Sequence, residues 1–136
     1  MHQTLGGGLT LVGAAILMDR QKRLLFAERP VGKSWAGYLE FPGGKIEEGE
    51  SPRAGLAREL KEELGITVAP ADLKPFTFIE HSYQEWNILM LSYRCDTWSG
   101  TPRGVEGQPL TWLHLSELEG HKILPADDPI LKMLRK

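Results

Sequence analysis

The chain has 136 residues, 41% of them hydrophobic, which is enough for one domain with a substantial core and too little for a second catalytic domain. A formal net charge of −2 supplies no general attraction to a nucleic-acid backbone, so a polynucleotide partner is not expected. The single Cys95 excludes an internal disulfide, Met1-His2-Gln3-Thr4 lacks a basic leader, and no apolar run nears the roughly 20 residues that span a bilayer, so a cytoplasmic protein without membrane contact is expected.

Residues 1–8, closing on Gly6-Gly7-Gly8, are expected to fray. Leu9 to Met18 is an almost unbroken apolar run bounded by Asp19-Arg20 and reads as a buried strand. A polar turn over Asp19 to Lys22 then delivers Leu24-Leu25-Phe26-Ala27 as a second strand, hairpinned to the first, until Pro30 interrupts it. Between Pro30 and Gly49 lie two prolines and five glycines, which predicts mostly loop with a short strand at Tyr38 to Phe41. Ser51-Pro52 has the form of an N-cap followed by proline at the first helical position, and Gly65 ends a helix predicted to run to Leu64. Further strands are predicted at Leu73 to Glu80, Asn87 to Cys95 and Leu110 to Leu113, with a helical turn near Ser116 to Leu118. Asp127-Asp128-Pro129 opens a last helix with Ile130, Leu131 and Leu134 on its buried side. One domain over residues 1–136 follows, without internal repeat or linker.

The chemistry lies on the middle helix. At roughly 100° per residue, Glu59, Glu62 and Glu63 share one arc while Leu56, Leu60 and Leu64 fill the adjoining one. Like charges at these spacings cost a few tenths of a kcal/mol per pair, and Lys61 points elsewhere. The arrangement therefore suggests an oxygen-liganded cation. Spacing alone would favour a solvated acidic face; the loop in front of the helix decides against that.

Gly44, Glu50, Arg58, Glu59, Leu60, Glu62, Glu63, Gly65 and Ile66 fall in the register of the Nudix box, without a gap or substitution. The chain thus resembles the Nudix family, and within it the MutT-type pyrophosphatases that remove oxidised guanine nucleotides. Leu39 to Glu47 reads like the loop of that group, and Trp98, Gly100, Pro102, Glu106-Gly107-Gln108-Pro109, Pro125-Ala126 and Pro129 resemble its later segments. The resemblance implies an α/β/α sandwich with a mixed β-sheet between helices, acting as a monomer. It implies Mg²⁺, replaceable by Mn²⁺, held by the Gly43 carbonyl, Glu59, Glu62 and Glu63, with Glu106 a further ligand candidate. Glu59, Glu62, Glu63 and Glu106 form the expected catalytic set, with either Glu59 or Glu106 as general base. Glu50 and Arg58 are expected to hold the loop to the helix, and Gly44 belongs to that support.

The same resemblance puts Arg29, Ser34, Glu40, Phe41, Pro42, Gly43, Lys45, Tyr83 and Asp127 at the nucleotide. Trp86 sits in the same region as Tyr83. Asp127 stands where the founding bacterial member has Asn. An ionised Asp127 would accept from the two adjacent donors of guanine; alternatively it caps the last helix. The implied reaction converts 8-oxo-dGTP to 8-oxo-dGMP and pyrophosphate. A cytidine-nucleotide pyrophosphohydrolase is the alternative, with diadenosine-polyphosphate or ADP-ribose hydrolysis behind it and a non-catalytic Nudix-like module disfavoured by the intact glutamates. Ala27 to Ser34 imitates a P-loop, but Trp35-Ala36-Gly37 leads on to Pro42 and Gly43 and not into the helix a P-loop requires. His2, His81, His114 and His121 lack metal-ligand spacing.

Overall fold

Strand β2 (Leu9–Leu17) is buried along almost its whole length because it has a core on each face. The computed structural model describes residues 4–5, 8–83 and 86–136; His2 and Gly6-Gly7 lie outside them. Side chains alternate across a strand, so Val12, Ala14 and Ile16 enter one core and Ala15 and Leu17 the other. Parallel pairing with β7 (Trp86–Cys95) runs from Leu9↔Asn87 to Leu17↔Cys95. A strand covered on both faces reads as a continuous apolar run.

The main sheet has the order β1 (Thr4–Leu5), β2, β7, β6 (Lys74–Tyr83), and β5 (Gly43–Lys45) pairs antiparallel with β2. The expected fraying of residues 1–8 lies partly outside the described residues, while Thr4 and Leu5 pair with Thr10 and Leu9. A second sheet joins β4 (Leu39–Glu40), β3 (Leu24–Glu28) and β8 (Leu110–Leu113). The predicted hairpin is therefore corrected: β2 and β3 lie in different sheets and touch as strands only through the Met18↔Leu24 bridge. Polar Asp19 to Lys22 does turn the chain, but β2 finds its ladder partners in β5 and β7.

Helix α1 (Pro52–Leu64) starts where Ser51 accepts from the Ala54 N–H at 3.1 Å and stops at Gly65 in the left-handed region, φ 71°. Its Leu56, Leu60 and Leu64 are fully buried in the core that holds Ala15, Leu17 and Tyr93. Burying each is worth about 1.5–3 kcal/mol, far more than the few tenths by which neighbouring glutamates repel. Apolar burial thus fixes which face α1 turns to the sheet and leaves the acidic face toward the loop. On the other side, α2 (Asp128–Leu134) buries Ile130 and Leu131 in the core with Ile16, Phe26, Ile88 and Met90. The mixed sheet therefore lies between the two helices, giving the α/β/α arrangement. Among the described residues, no helix is long and apolar enough to cross a membrane.

Two local features differ from expectation. Gly43–Lys45, predicted as loop, is strand, with Ala14↔Gly43 and Val12↔Lys45 as partners. The segment after Lys33-Ser34 forms turns and then β4 instead of a helix, which removes the P-loop reading.

Candidate active site

Strand β5 and helix α1 meet side by side, and Arg58 is the hub between them. Its Nε donates to Glu50 Oε2 at 3.1 Å, and Nη2 donates to Glu50 Oε1 at 2.8 Å and to the Lys45 carbonyl at 3.0 Å. Glu50 Oε1 also accepts the Glu47 N–H at 2.7 Å, which ties down the turn before the helix. A planar guanidinium suits such a two-pronged pair, where an ammonium would hold only one arm.

The glutamates of α1 take up different positions. Glu63 Oε1 accepts the Gly43 N–H at 3.2 Å, so this carboxyl is fastened to β5. Burial, then the charge of neighbouring Glu59, pushes it up to about 8, against the opposing pull of the Gly43 N–H. Burial also raises Glu59, whose carboxylate lies against the Cα of Gly44 where a Cβ would collide with it. Glu62 is turned away, with Oε2 3.0 Å from Arg58 Nη1 and its side chain half exposed. It would have to leave Arg58 to share an ion with Glu63. Glu106, from the loop between β7 and β8, lies near enough for its charge to raise both Glu59 and Glu63.

Among the described residues, no three acidic, histidine or cysteine side chains already converge enough to enclose an ion. The donor set nonetheless fits a hard divalent cation. It consists of oxygens alone, two of its carboxyls are held with their charge disfavoured by burial and mutual repulsion, and a nearby cation would relieve both. Mg²⁺ commonly fills most of its shell with water and substrate phosphate, so a closed protein cage is not required.

This acidic corner opens onto a cleft of about 540 Å³. Of the residues expected at the site, Arg29, Glu40, Phe41, Gly43, Gly44, Lys45, Glu63, Tyr83, Glu106 and Asp127 line it. Ser34, Pro42, Glu59 and Glu62 do not. Ser34 lies exposed, with its carbonyl accepting from Arg29 Nε at 3.0 Å, and the Pro42 carbonyl is taken by the Ala15 N–H at 2.8 Å. Arg29 also faces Glu40, Nη1 to Oε2 3.5 Å, and burial raises the Glu40 carboxyl despite that partner. The Phe41 ring is core, stacked on Phe26 with centroids 5.0 Å apart. Lys45 Nζ lies 5.4 Å from the Trp86 ring, whose indole N–H donates to Thr10 Oγ1 at 3.0 Å.

Asp127 lines the cleft but does not take the cap role expected of it. Its side chain makes no cap bond to α2; Oδ2 accepts the Phe41 N–H at 2.9 Å. It is carried there because the segment before it pairs with β4, Leu39 N–H to the Lys122 carbonyl and Leu124 N–H to the Leu39 carbonyl. Burial pushes the carboxyl up to about 8, with the charge of Glu40 adding to the shift and the Phe41 N–H opposing it. Burial thus favours the protonated carboxyl over the ionised two-acceptor form. Nearby, the Tyr83 hydroxyl accepts the Ala126 N–H at 3.1 Å.

Lys33 and Gln108 also line the cleft, although neither carries an expected role. Lys33 lies within the P-loop imitation, and Gln108 sits in the Glu106-Gly107-Gln108-Pro109 stretch with nothing in its residue type to mark it. A glutamine signals function only through its partners, and one of these, the Glu63 carbonyl, lies 45 residues away on α1.

A mixed sheet between helices, with an oxygen-donor corner opening on a nucleotide-sized cleft, defines a small α/β phosphohydrolase. The chain belongs to the Nudix family of hydrolases, the NUDIX domain matching residues 9–134. It is 34% identical over 125 residues to the 8-oxo-dGTP diphosphatase of Escherichia coli K12, covering 92% of this chain and 95% of that protein. The CTP pyrophosphohydrolase of the same organism is 33% identical over 121 residues, covering 87% of this chain and 86% of that protein. A solved MutT structure, from work on Aliivibrio salmonicida and Vibrio cholerae, superposes with a TM-score of 0.77 at 31% identity over 90% of this chain and 94% of that one. Nudix hydrolases in general need divalent metal ions.

Proposed function

We propose that the chain hydrolyses 8-oxo-dGTP to 8-oxo-dGMP and pyrophosphate, as a monomer in the cytoplasm, with Mg²⁺ as the metal and Mn²⁺ able to substitute. The observation that carries this reading is one cleft lined both by the acidic corner, Glu63 and Glu106, and by base-sized surroundings, Tyr83, Trp86 and Asp127. The relatives rank the substrates. The 8-oxo-dGTP diphosphatase of Escherichia coli matches over more of both chains than the CTP pyrophosphohydrolase does.

Glu63, Glu59 and the Gly43 carbonyl would hold the metal, with Glu62 or Glu106 joining them. A bound divalent ion neutralises phosphate charge and orients the attacking water. Either Glu59 or Glu106 accepts the proton of that water, and the α–β anhydride is cleaved. Nucleoside monophosphate and pyrophosphate should therefore be the first products. Chromatography of the reaction before any phosphatase is added tests this, and release of inorganic phosphate with a nucleoside diphosphate would sink it.

Neutral Asp127 resembles an amide: Oδ2 accepts from Phe41, and the protonated oxygen donates, which suits O6 of guanine. Cytosine also offers acceptors, so this group alone does not separate the two bases. Asp127→Asn should keep the relative rates for 8-oxo-dGTP, dGTP and CTP. Asp127→Ala should erode the preference by about tenfold to a hundredfold, the cost of an unpaired buried polar group. Unchanged relative rates in the alanine variant would remove Asp127 from base recognition.

The same carboxyl predicts a pH effect on stability. Its folded value of about 8 lies above the ordinary aspartate value near 4. Between those values the folded chain holds a proton that the unfolded chain has released, so stability falls as pH rises toward and through 8. Asp127→Asn lacks this loss. Its Tm should match or trail the parent at pH 5 and exceed it by several degrees at pH 9; parallel Tm curves would contradict the assignment.

A further inference from the structure

The loop between β7 and β8 crosses the C-terminal end of α1 and takes up its last carbonyls. Arg103 N–H donates to the Leu64 carbonyl at 3.0 Å and Val105 N–H to the Glu63 carbonyl at 3.1 Å. A helix end leaves such carbonyls without partners in the helix. Gln108 then adds its side chain: Nε2 donates to the same Glu63 carbonyl at 3.0 Å, and Oε1 accepts the Glu106 N–H at 3.0 Å. One amide thus ties the backbone of Glu106 to that of Glu63. The two partners, one a carbonyl and one an N–H, fix which end of the amide is which. Gly104 lets the turn close, because a Cβ there would meet the Gln108 carbonyl.

Packing does not hold the tip of this loop. Val105 is 45% exposed and Glu106 is exposed as well. Hydrogen bonds must therefore fix where Glu106 stands relative to the α1 face. We propose that Gln108 is a positioning residue that sets Glu106 beside Glu59 and Glu63 by bridging the two backbones. The inference rests on the reading of Glu106 as a member of the catalytic set. Glutamate could not replace the amide, because it would present an acceptor to the Glu63 carbonyl and add charge beside Glu106.

The test is a double-mutant cycle of Gln108→Ala and Glu106→Gln in the full chain, with 8-oxo-dGTP and saturating Mg²⁺. Gln108→Ala should lower kcat about tenfold with KM changed less than about twofold, as expected for a misplaced supporting group. Its Tm should stay within a few degrees of the parent, and the Glu106 amide should exchange its hydrogen faster. In the Glu106→Gln background the same change should cost less than about twofold. Gln108→Glu should be at least as impaired as Gln108→Ala. Independent, multiplying losses, or an unchanged Glu106 amide, would overturn the positioning role. Full kcat in Glu106→Gln would overturn it too, together with the assignment of Glu106, while leaving the metal reading of Glu63 to its own test.

Discussion

Glu63→Gln is expected to lower turnover on the order of a thousandfold while the protein stays folded. Gln can still accept the Gly43 N–H that Glu63 Oε1 takes at 3.2 Å, so the link between α1 and β5 survives. What disappears is a formal negative charge at the most buried carboxyl of the acidic corner. A metal-bound phosphoryl oxygen gains several kcal/mol of charge stabilisation, and losing about 4 kcal/mol of it corresponds to three factors of ten in rate. The checks are kcat at saturating Mg²⁺, Mn²⁺ binding, and Tm. Retained activity in this variant, or parent activity that survives EDTA, would rule out a metal mechanism.

Gly43→Ala and Gly44→Ala should fail in opposite ways although the residues are adjacent. Gly43 has φ 153°, and a Cβ there would strike the Gly13 carbonyl and approach Ala14 Cα at 3.0 Å. Those atoms are backbone of the central strand and cannot swing aside, so a loss of roughly 2–4 kcal/mol is expected, read as a lower urea midpoint. A Cβ on Gly44 would instead meet the Glu59 carboxylate, the far end of a side chain that can rotate. Stability should then change by less than about 1 kcal/mol. Displacing Glu59 should cost about tenfold to a hundredfold in kcat. The reverse pattern, an unstable Gly44→Ala with normal turnover per folded molecule, would mean that the close approach to Glu59 serves the fold alone.

Asp127, Gln108 and β5 mark where residue patterns stop being informative. Asp127 sits before a helix and looks like a cap, yet its carboxyl is claimed by Phe41, 86 positions earlier. Its raised pKa comes from burial that the residues around it in sequence do not provide. Gly43–Lys45 reads as loop because glycine lacks strand propensity, but pairing with Val12 to Ala14 makes it strand. The polar turn implies a β2–β3 hairpin, yet β2 pairs instead along nine residues with β7.

By itself the sequence determined what depends on neighbours along the chain: the α1 boundaries, set by Ser51-Pro52 and Gly65; its acidic and apolar faces; the buried run of β2; and the Nudix box. Caps, periodicity and spacing act over one or two turns, so they can be read directly. Only the tertiary structure decided that Glu62 turns to Arg58 while Glu63 bonds Gly43, that Ser34 and Pro42 stay out of the cleft, and that one glutamine bridges Glu106 to Glu63. Those outcomes depend on which distant backbone groups come within hydrogen-bond reach and which carboxyls lose water, and both are properties of the packed chain.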